Sequence, residues 1–237
     1  MKTKNIKIEK IRALMLSSLS LILLLNFISC NDDESCEYVI ADCEETCEIF
    51  EDFEDETIGS AGNWQSIANS AIGVSFDTAT NSNVLAVQDG SGESLIFNTA
   101  DFPTNLLDGG CELKYDARFD FSTANASNSL IIYQGTSPLA YTFRAQFSLN
   151  PTSAHIVGGA MKTIAVPLEL ASGTSLPSNS YGEWKLIGAS NPLTTTDITN
   201  FNNLIQNIDG VSMRIDGAGG TESWWFDNFC FTQCCPE

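Results

Sequence analysis

Between Cys111 and Phe121 the chain alternates without a break. Cys111, Leu113, Tyr115, Ala117, Phe119 and Phe121 are apolar, and Glu112, Lys114, Asp116, Arg118 and Asp120 between them are charged. Successive strand side chains point to opposite faces, so this period of two reads as a strand with one face in a core and one in water. Residues 141–149 repeat the pattern, with Tyr141, Phe143, Ala145, Phe147 and Leu149 inward and Thr142, Arg144, Gln146 and Ser148 outward. Ile164, Val166, Leu168 and Leu170 form a third set, and Val211, Met213 and Ile215 a fourth. Further strands are expected over 47–54, 73–78, 83–88, 93–98, 128–134, 153–158, 182–188 and 223–231, separated by turn clusters such as Gln88 to Gly92 and Gly217 to Gly220. About a dozen short strands predict an all-β sandwich or barrel. One short helix is expected, because Ile198, Phe201, Leu204, Ile205 and Ile208 recur at helical spacing, with Thr196 to start it and Gly210 to end it. No internal repeat and no second domain boundary is visible.

The N-terminus reads as an address. Lys2, Lys4, Lys7, Lys10 and Arg12 precede an apolar run from Ala13 to Ile28, followed by Ser29 and Cys30. A basic segment, a short apolar segment and a small residue before a cut describe a secretory signal. The run is shorter than the roughly 20 residues that a spanning helix needs. Phe27-Ile28-Ser29-Cys30 resembles the lipobox of bacterial lipoproteins, with Phe27 where leucine is usual. That resemblance implies lipid on Cys30 as the mature N-terminus. Asn31-Asp32-Asp33-Glu34 resembles the acidic tract that sends some Gram-negative lipoproteins to the outer face of the outer membrane. The expected plan is a signal peptide over 1–29, an acidic Cys-bearing tether over 30–47 and a sandwich over 48–237, with lipid as the only membrane contact.

Charge limits the partners. The chain has 237 residues, 11 basic and 30 acidic, for a net charge of −19. Removal of the signal takes five bases and one acid with it, leaving about −23. Nucleic acid, bound through basic groups that displace counterions, is excluded. Strongly sulfated glycans are excluded too, unless Arg118, Arg144 and the few lysines gather in one place. Divalent cations are the natural small partners. The single histidine, His155, leaves no His-rich metal site and no credible histidine-dependent triad.

With Cys30 given to lipid, seven cysteines remain: Cys36, Cys43, Cys47, Cys111, Cys230, Cys234 and Cys235. Export makes disulfides the default. First and last strands of a sandwich often lie side by side, so bridges are expected from the 36/43/47 group to the 230/234/235 group, with Cys111 in play. An odd number leaves one thiol free or paired between chains.

Several short motifs then resemble known modules. Phe53-Glu54-Asp55 followed by Asn63-Trp64, then Gly182-Glu183-Trp184-Lys185-Leu186, then Val211 to Gly217 and Trp225-Phe226-Asp227-Asn228-Phe229, resemble the strands of jelly-roll carbohydrate-binding modules. Ile205-Gln206-Asn207-Ile208-Asp209-Gly210 resembles a run in laminin-B-like jelly rolls. The resemblance implies a jelly-roll β-sandwich, galactose-binding-like or similar, that binds glycan or cell-surface polysaccharide without catalysis. It also implies a structural calcium joining the first strand to the last through Glu54 and Asp227, with Asp52 or Asp55 as further ligands. Calcium takes six to eight oxygen ligands, which carboxylates supply. For the sugar, Trp64 and Trp224 are the expected stacking platform, and Arg118, Arg144 and Gln146 on polar strand faces the hydroxyl or carboxylate partners. The alternative is a structural or adhesive surface lipoprotein with protein partners. A glycoside hydrolase or lyase is less favoured: the Glu-X-Asp-X-X-Glu strand of jelly-roll glycosidases and the Arg/Gln/His/Tyr signatures of jelly-roll lyases are missing, and Gly90-Ser91-Gly92 is a turn without a nucleophile elbow.

Overall fold

The alternating run folds as β6 (Glu112–Asp120), the backbone of a computed structural model that describes residues 46–67, 70–89, 94–120, 129–150, 160–215 and 222–233. Leu113, Tyr115, Ala117 and Phe119 of β6 enter one hydrophobic core, and Asp116 and Arg118 face away from it. The remaining strands are β1 (Cys47–Glu51), β2 (Trp64–Ile67), β3 (Ala71–Asp77), β4 (Ser82–Gln88), β5 (Leu95–Asn98), β7 (Ser129–Ser137), β8 (Ala140–Leu149), β9 (Lys162–Pro167), β10 (Gly182–Leu186), β11 (Gly210–Arg214) and β12 (Ser223–Thr232). They form two antiparallel six-stranded sheets. The first runs β3-β4-β12-β6-β9, with β1 also on β12, and the second runs β10-β8-β7-β11-β5-β2. Their inner faces close on a shared core, the arrangement of a β-sandwich.

The last strand, β12, is the hub. One of its edges pairs β6, and the other pairs β4 along Ser223 to Phe226 and β1 along Phe229 to Thr232. The first and last strands therefore lie side by side, as expected. The Cys47–Cys230 disulfide locks them, with Cα atoms 5.5 Å apart. Cys111 is also disulfide-bonded. The signal segment, Cys30, Cys36, Cys43, Cys234, Cys235, Phe121, His155 with the strand expected at 153–158, and the turn from Gly217 to Gly220 lie outside the described residues.

The helix, α1 (Thr195–Ile205), begins two residues earlier than expected. Thr194 caps it: its hydroxyl accepts from the Asp197 amide while the Asp197 carboxylate accepts from the Thr194 amide, a reciprocal capping box. Ile198, Phe201, Leu204 and Ile205 bury their side chains in the core, where Phe201 meets Trp184 at 5.8 Å. Among the described residues no helix is long and apolar enough to cross a membrane.

Two inward assignments change. Leu170 is exposed, because β9 ends at Pro167 and no ladder carries the alternation further. Tyr141 is exposed as well. It sits with Ala140 and Thr142 at the tip of the β7–β8 hairpin, where the register shifts between Gln134 and Ser137 and the strands have run past the core. Cys47 is the first residue of β1, where the strand expected over 47–54 begins.

Candidate functional site

The inner residues of the second sheet are Leu130 and Ile132 of β7, Ala145 and Phe147 of β8, and Val211 and Met213 of β11. The intervening residues therefore form its outer face. Ladder register lines them up across the strands. Gln146 of β8 stands opposite Lys185 of β10 on one side and Ile131 of β7 on the other, and Ile131 stands opposite Ser212 of β11. The neighbouring row passes from Glu183 through Ser148 and Ser129 to Arg214. The next passes from Arg144 through Tyr133 to Gly210.

Two of these outward side chains are buried without a protein hydrogen-bond partner, the Tyr133 and Ser212 hydroxyls. Burial first, and then the Asp209 carboxylate, push the Tyr133 phenol up to about 12, so it is a neutral donor at any ordinary pH. Its ring fits because β11 has glycine opposite: a Cβ on Gly210 would stand 2.5 Å from the Tyr133 oxygen. Buried hydroxyls are normally partnered, and each exception calls for its own explanation.

Toward β10 the face is more open, with Glu183 and Lys185 exposed, whereas Arg144 of β8 is buried, 8% exposed. Arg144 donates to the Pro138 carbonyl at 3.3 Å, and its guanidinium lies 5.5 Å from the centre of the exposed Tyr141 ring. Gln146 donates to Ser148 at 3.0 Å. Beside them a polar cleft of about 390 Å³ is lined by Ser148, Asn150, Ser178, Asn179, Glu183 and Lys185 among others. Arg144 and Gln146 thus lie on one face of β8. Three of the six bases outside the signal segment, Arg144, Lys185 and Arg214, lie on this face, where Lys185 pairs with Glu183 at 2.9 Å.

Arg118 is elsewhere. It lies on the outer face of the first sheet, over the Trp225 ring at 4.3 Å, with its guanidinium 2.7 Å from Asp77. Burial raises the Asp77 carboxyl, but Arg118 together with the Ala79 amide and the Thr80 hydroxyl outweighs it and holds the group below its ordinary value. A carboxyl held low in the folded state contributes stability above its unfolded value of 3.8, lost as pH falls through the lower folded one. Urea midpoints taken from about pH 5 down to about 2.5 are therefore expected to fall less steeply in Asp77→Asn than in the native protein. Equal slopes would show that the pair contributes nothing.

The tryptophans expected to stack on sugar are not at the surface. Trp64 is 3% and Trp224 0% exposed. Trp64 packs on Phe102 and Phe229, and Trp224 lies between Phe119 and Phe226. Trp184 is buried too, its indole donating to the Pro167 carbonyl at 2.8 Å. The outward member of the Trp224–Trp225 pair is Trp225. Trp225 and Tyr141 lie within reach of a ligand; the sequence reading prefers Trp64 and Trp224 to Trp225 and places Tyr141 inward. Only the register of β12 and the length of the hairpin reveal them.

Of the expected calcium ligands, Glu54 and Asp227 do approach one another. Asp227 is buried beside the bulge of β12, where Asn228 takes a left-handed φ of 50° and Phe53, next to Glu54, a φ of 61°. Non-glycine residues rarely adopt that conformation. Burial pushes the Asp227 carboxyl up to about 6, and the Asp116 and Glu54 charges add to it against hydrogen bonds from the Asn228 amide and the Ser82 hydroxyl. Glu54 accepts from the Asn83 amide at 3.0 Å. Asp52 and Asp55 are exposed, and Asp52 turns to the Glu54 amide instead. Among the described residues no three acidic, cysteine or histidine side chains gather closely enough to hold an ion.

No family model matches the sequence, and no curated protein matches it. Among solved structures, the fold is similar to part of an exo-β-agarase, with a TM-score of 0.52 and 14% identity over 80% of this chain and 25% of the enzyme. The chain thus spans about a quarter of that enzyme's length. A family 11 carbohydrate-binding module from the cellulosomal cellulase Lic26A-Cel5E of Clostridium thermocellum aligns with a TM-score of 0.48 and 15% identity, over 82% of this chain and 98% of the module. The agarase likeness is one of fold, a β-sandwich.

Proposed function

We propose that this is a non-catalytic glycan-binding protein, held at the outer membrane by lipid on Cys30 and facing outward. The observation that carries the binding reading is the polar strip on the outer face of the second sheet. Arg144, Gln146 and Ser148 follow one another on β8, Tyr141 lies exposed beside the Arg144 guanidinium, and the strip opens on the polar cleft. A pyranose carries hydroxyls around its rim and an apolar C–H face, which guanidinium, amide and hydroxyl groups and a phenol ring match in turn. Sites built on strands hold such groups in place. Affinity electrophoresis in gels containing soluble polysaccharides tests the reading, with retardation of the native protein expected. Release of reducing ends or unsaturated sugars by the pure protein would contradict its non-catalytic part. Mass spectrometry of the mature N-terminus tests the anchor, and an unmodified Cys30 would refute it.

The proposal includes a calcium ion recruited to exposed Glu54 and buried Asp227, whose charges a cation would offset. Calcium would supply structural neutralisation there, not chemistry. Addition of calcium after chelation at pH 7 is expected to raise the melting midpoint of the native protein, and to do so less in Asp227→Asn. A midpoint indifferent to chelator removes the ion from the account.

A further inference from the structure

The outer face of the first sheet carries a second, separate feature. Three of the four tryptophans are buried, and the fourth, Trp225, is half-exposed on β12. In the ladder Trp225 stands directly opposite Arg118 of β6 on one side and Ala86 of β4 on the other, and Ala86 stands opposite Gly73 of β3. Arg118 covers the indole at 4.3 Å and is itself anchored on Asp77. Asp77 is fixed in turn by the Ala79 amide and the Thr80 hydroxyl. The indole is thereby set in one orientation before a ligand arrives. Ordering side chains is a main cost of binding, and here it has already been met.

Asp77 lies at the end of β3, so Arg118 approaches the indole from that end. Toward the start of β3 a groove of about 240 Å³ runs along Trp225. Its floor is Ala71, Gly73 and Ala86, none with a side chain longer than a methyl group, and its rim carries Gln88 and Ser223. An aromatic wall over a floor of small residues, with an amide and a hydroxyl at the edge, suits a ring that is apolar on its face and hydroxylated on its rim. A purely apolar occupant would bury the two polar rim groups without partners.

We propose that this groove is a second glycan site, taking one pyranose unit against Trp225. It stands on the sheet opposite the Arg144–Gln146 strip and does not depend on it. A polysaccharide long enough to reach both faces would be held at two points.

Intrinsic fluorescence reads this site selectively, because the other tryptophans are buried. The intact protein is titrated with soluble β-glucan, xylan, agar and alginate oligosaccharides, beside Arg144→Ala/Gln146→Ala, Trp225→Ala and Ala86→Leu. Ala86→Leu fills the groove and keeps the indole. At least one probe is expected to shift the emission of the native protein and of the Arg144→Ala/Gln146→Ala variant alike. The shift should vanish in Trp225→Ala and Ala86→Leu, with affinity at this site down about 30-fold, as for truncation of an aromatic anchor. An emission that no probe alters overturns the proposal. So does unchanged binding in both groove variants. Binding lost only in Arg144→Ala/Gln146→Ala overturns the second site and leaves the first standing, and binding lost only in the groove variants does the reverse.

Discussion

Trp224→Ala is expected to lower the stability of the domain by about 3–5 kcal/mol, the range for large aromatic-to-alanine changes in a core. At roughly 2–4 °C per kcal/mol for a domain of this size, the melting midpoint should fall by about 6–20 °C. The reasons are local. Trp224 has no exposed surface, its ring is 4.4 Å from Phe119 and stacked on Phe226 at 6.1 Å, and its indole donates to the buried Glu222 carboxylate at 3.3 Å. Alanine leaves a cavity where β12 faces the core, in the strand that joins β4, β6 and β1. Thermal denaturation followed by circular dichroism measures the effect. An unchanged midpoint with lost glycan binding would return Trp224 to the ligand platform and contradict its place in the core.

The second large effect is expected from the Cys47–Cys230 bridge. It closes a loop with a sequence separation of 183, and in the chain-entropy view such a loop restricts the unfolded ensemble by about 5 kcal/mol. Native bridges of this kind usually contribute about 2–5 kcal/mol. Replacement of both cysteines by serine is the cleaner test, because reductant would also open the bridge at Cys111. The double variant should unfold at a markedly lower urea concentration, with β1 the first element to lose amide protection, since β1 pairs β12 alone. A midpoint equal to that of the native protein would mean that the β1–β12 ladder suffices without the bridge.

What could be read from the sequence was decided by local alternation. β6 was legible because its whole length lies over the core, so that parity and burial coincide from Leu113 to Phe119. The same rule misplaced Tyr141, where the hairpin outruns the core, and Leu170, which lies beyond the end of β9, so parity no longer sets exposure. Parity also shows that one of Trp224 and Trp225 must face inward, but it does not say which. That depends on pairing with Val87 and Phe119, far away in the chain. β2 escaped notice because Trp64 to Ile67 is too short for a period to emerge. For the site, Arg144 and Gln146 were legible as outward residues of one strand, and the structure keeps them together. Arg118 has the same signature on β6, yet it belongs to the other sheet. Sheet membership follows from long-range pairing, and an isolated strand carries no trace of it.

The account rests on the outer face of the second sheet as a glycan surface. The most direct measurement is glycan-array binding by the intact protein beside an Arg144→Ala/Gln146→Ala variant of equal melting midpoint. The native protein is expected to hold at least one polysaccharide class, and the variant to lose about tenfold or more in affinity, the effect of removing one or two hydrogen-bonding groups at about 1–2 kcal/mol each. A native protein that retains no glycan, or a variant that binds as well as the native chain, would contradict the assignment of this face.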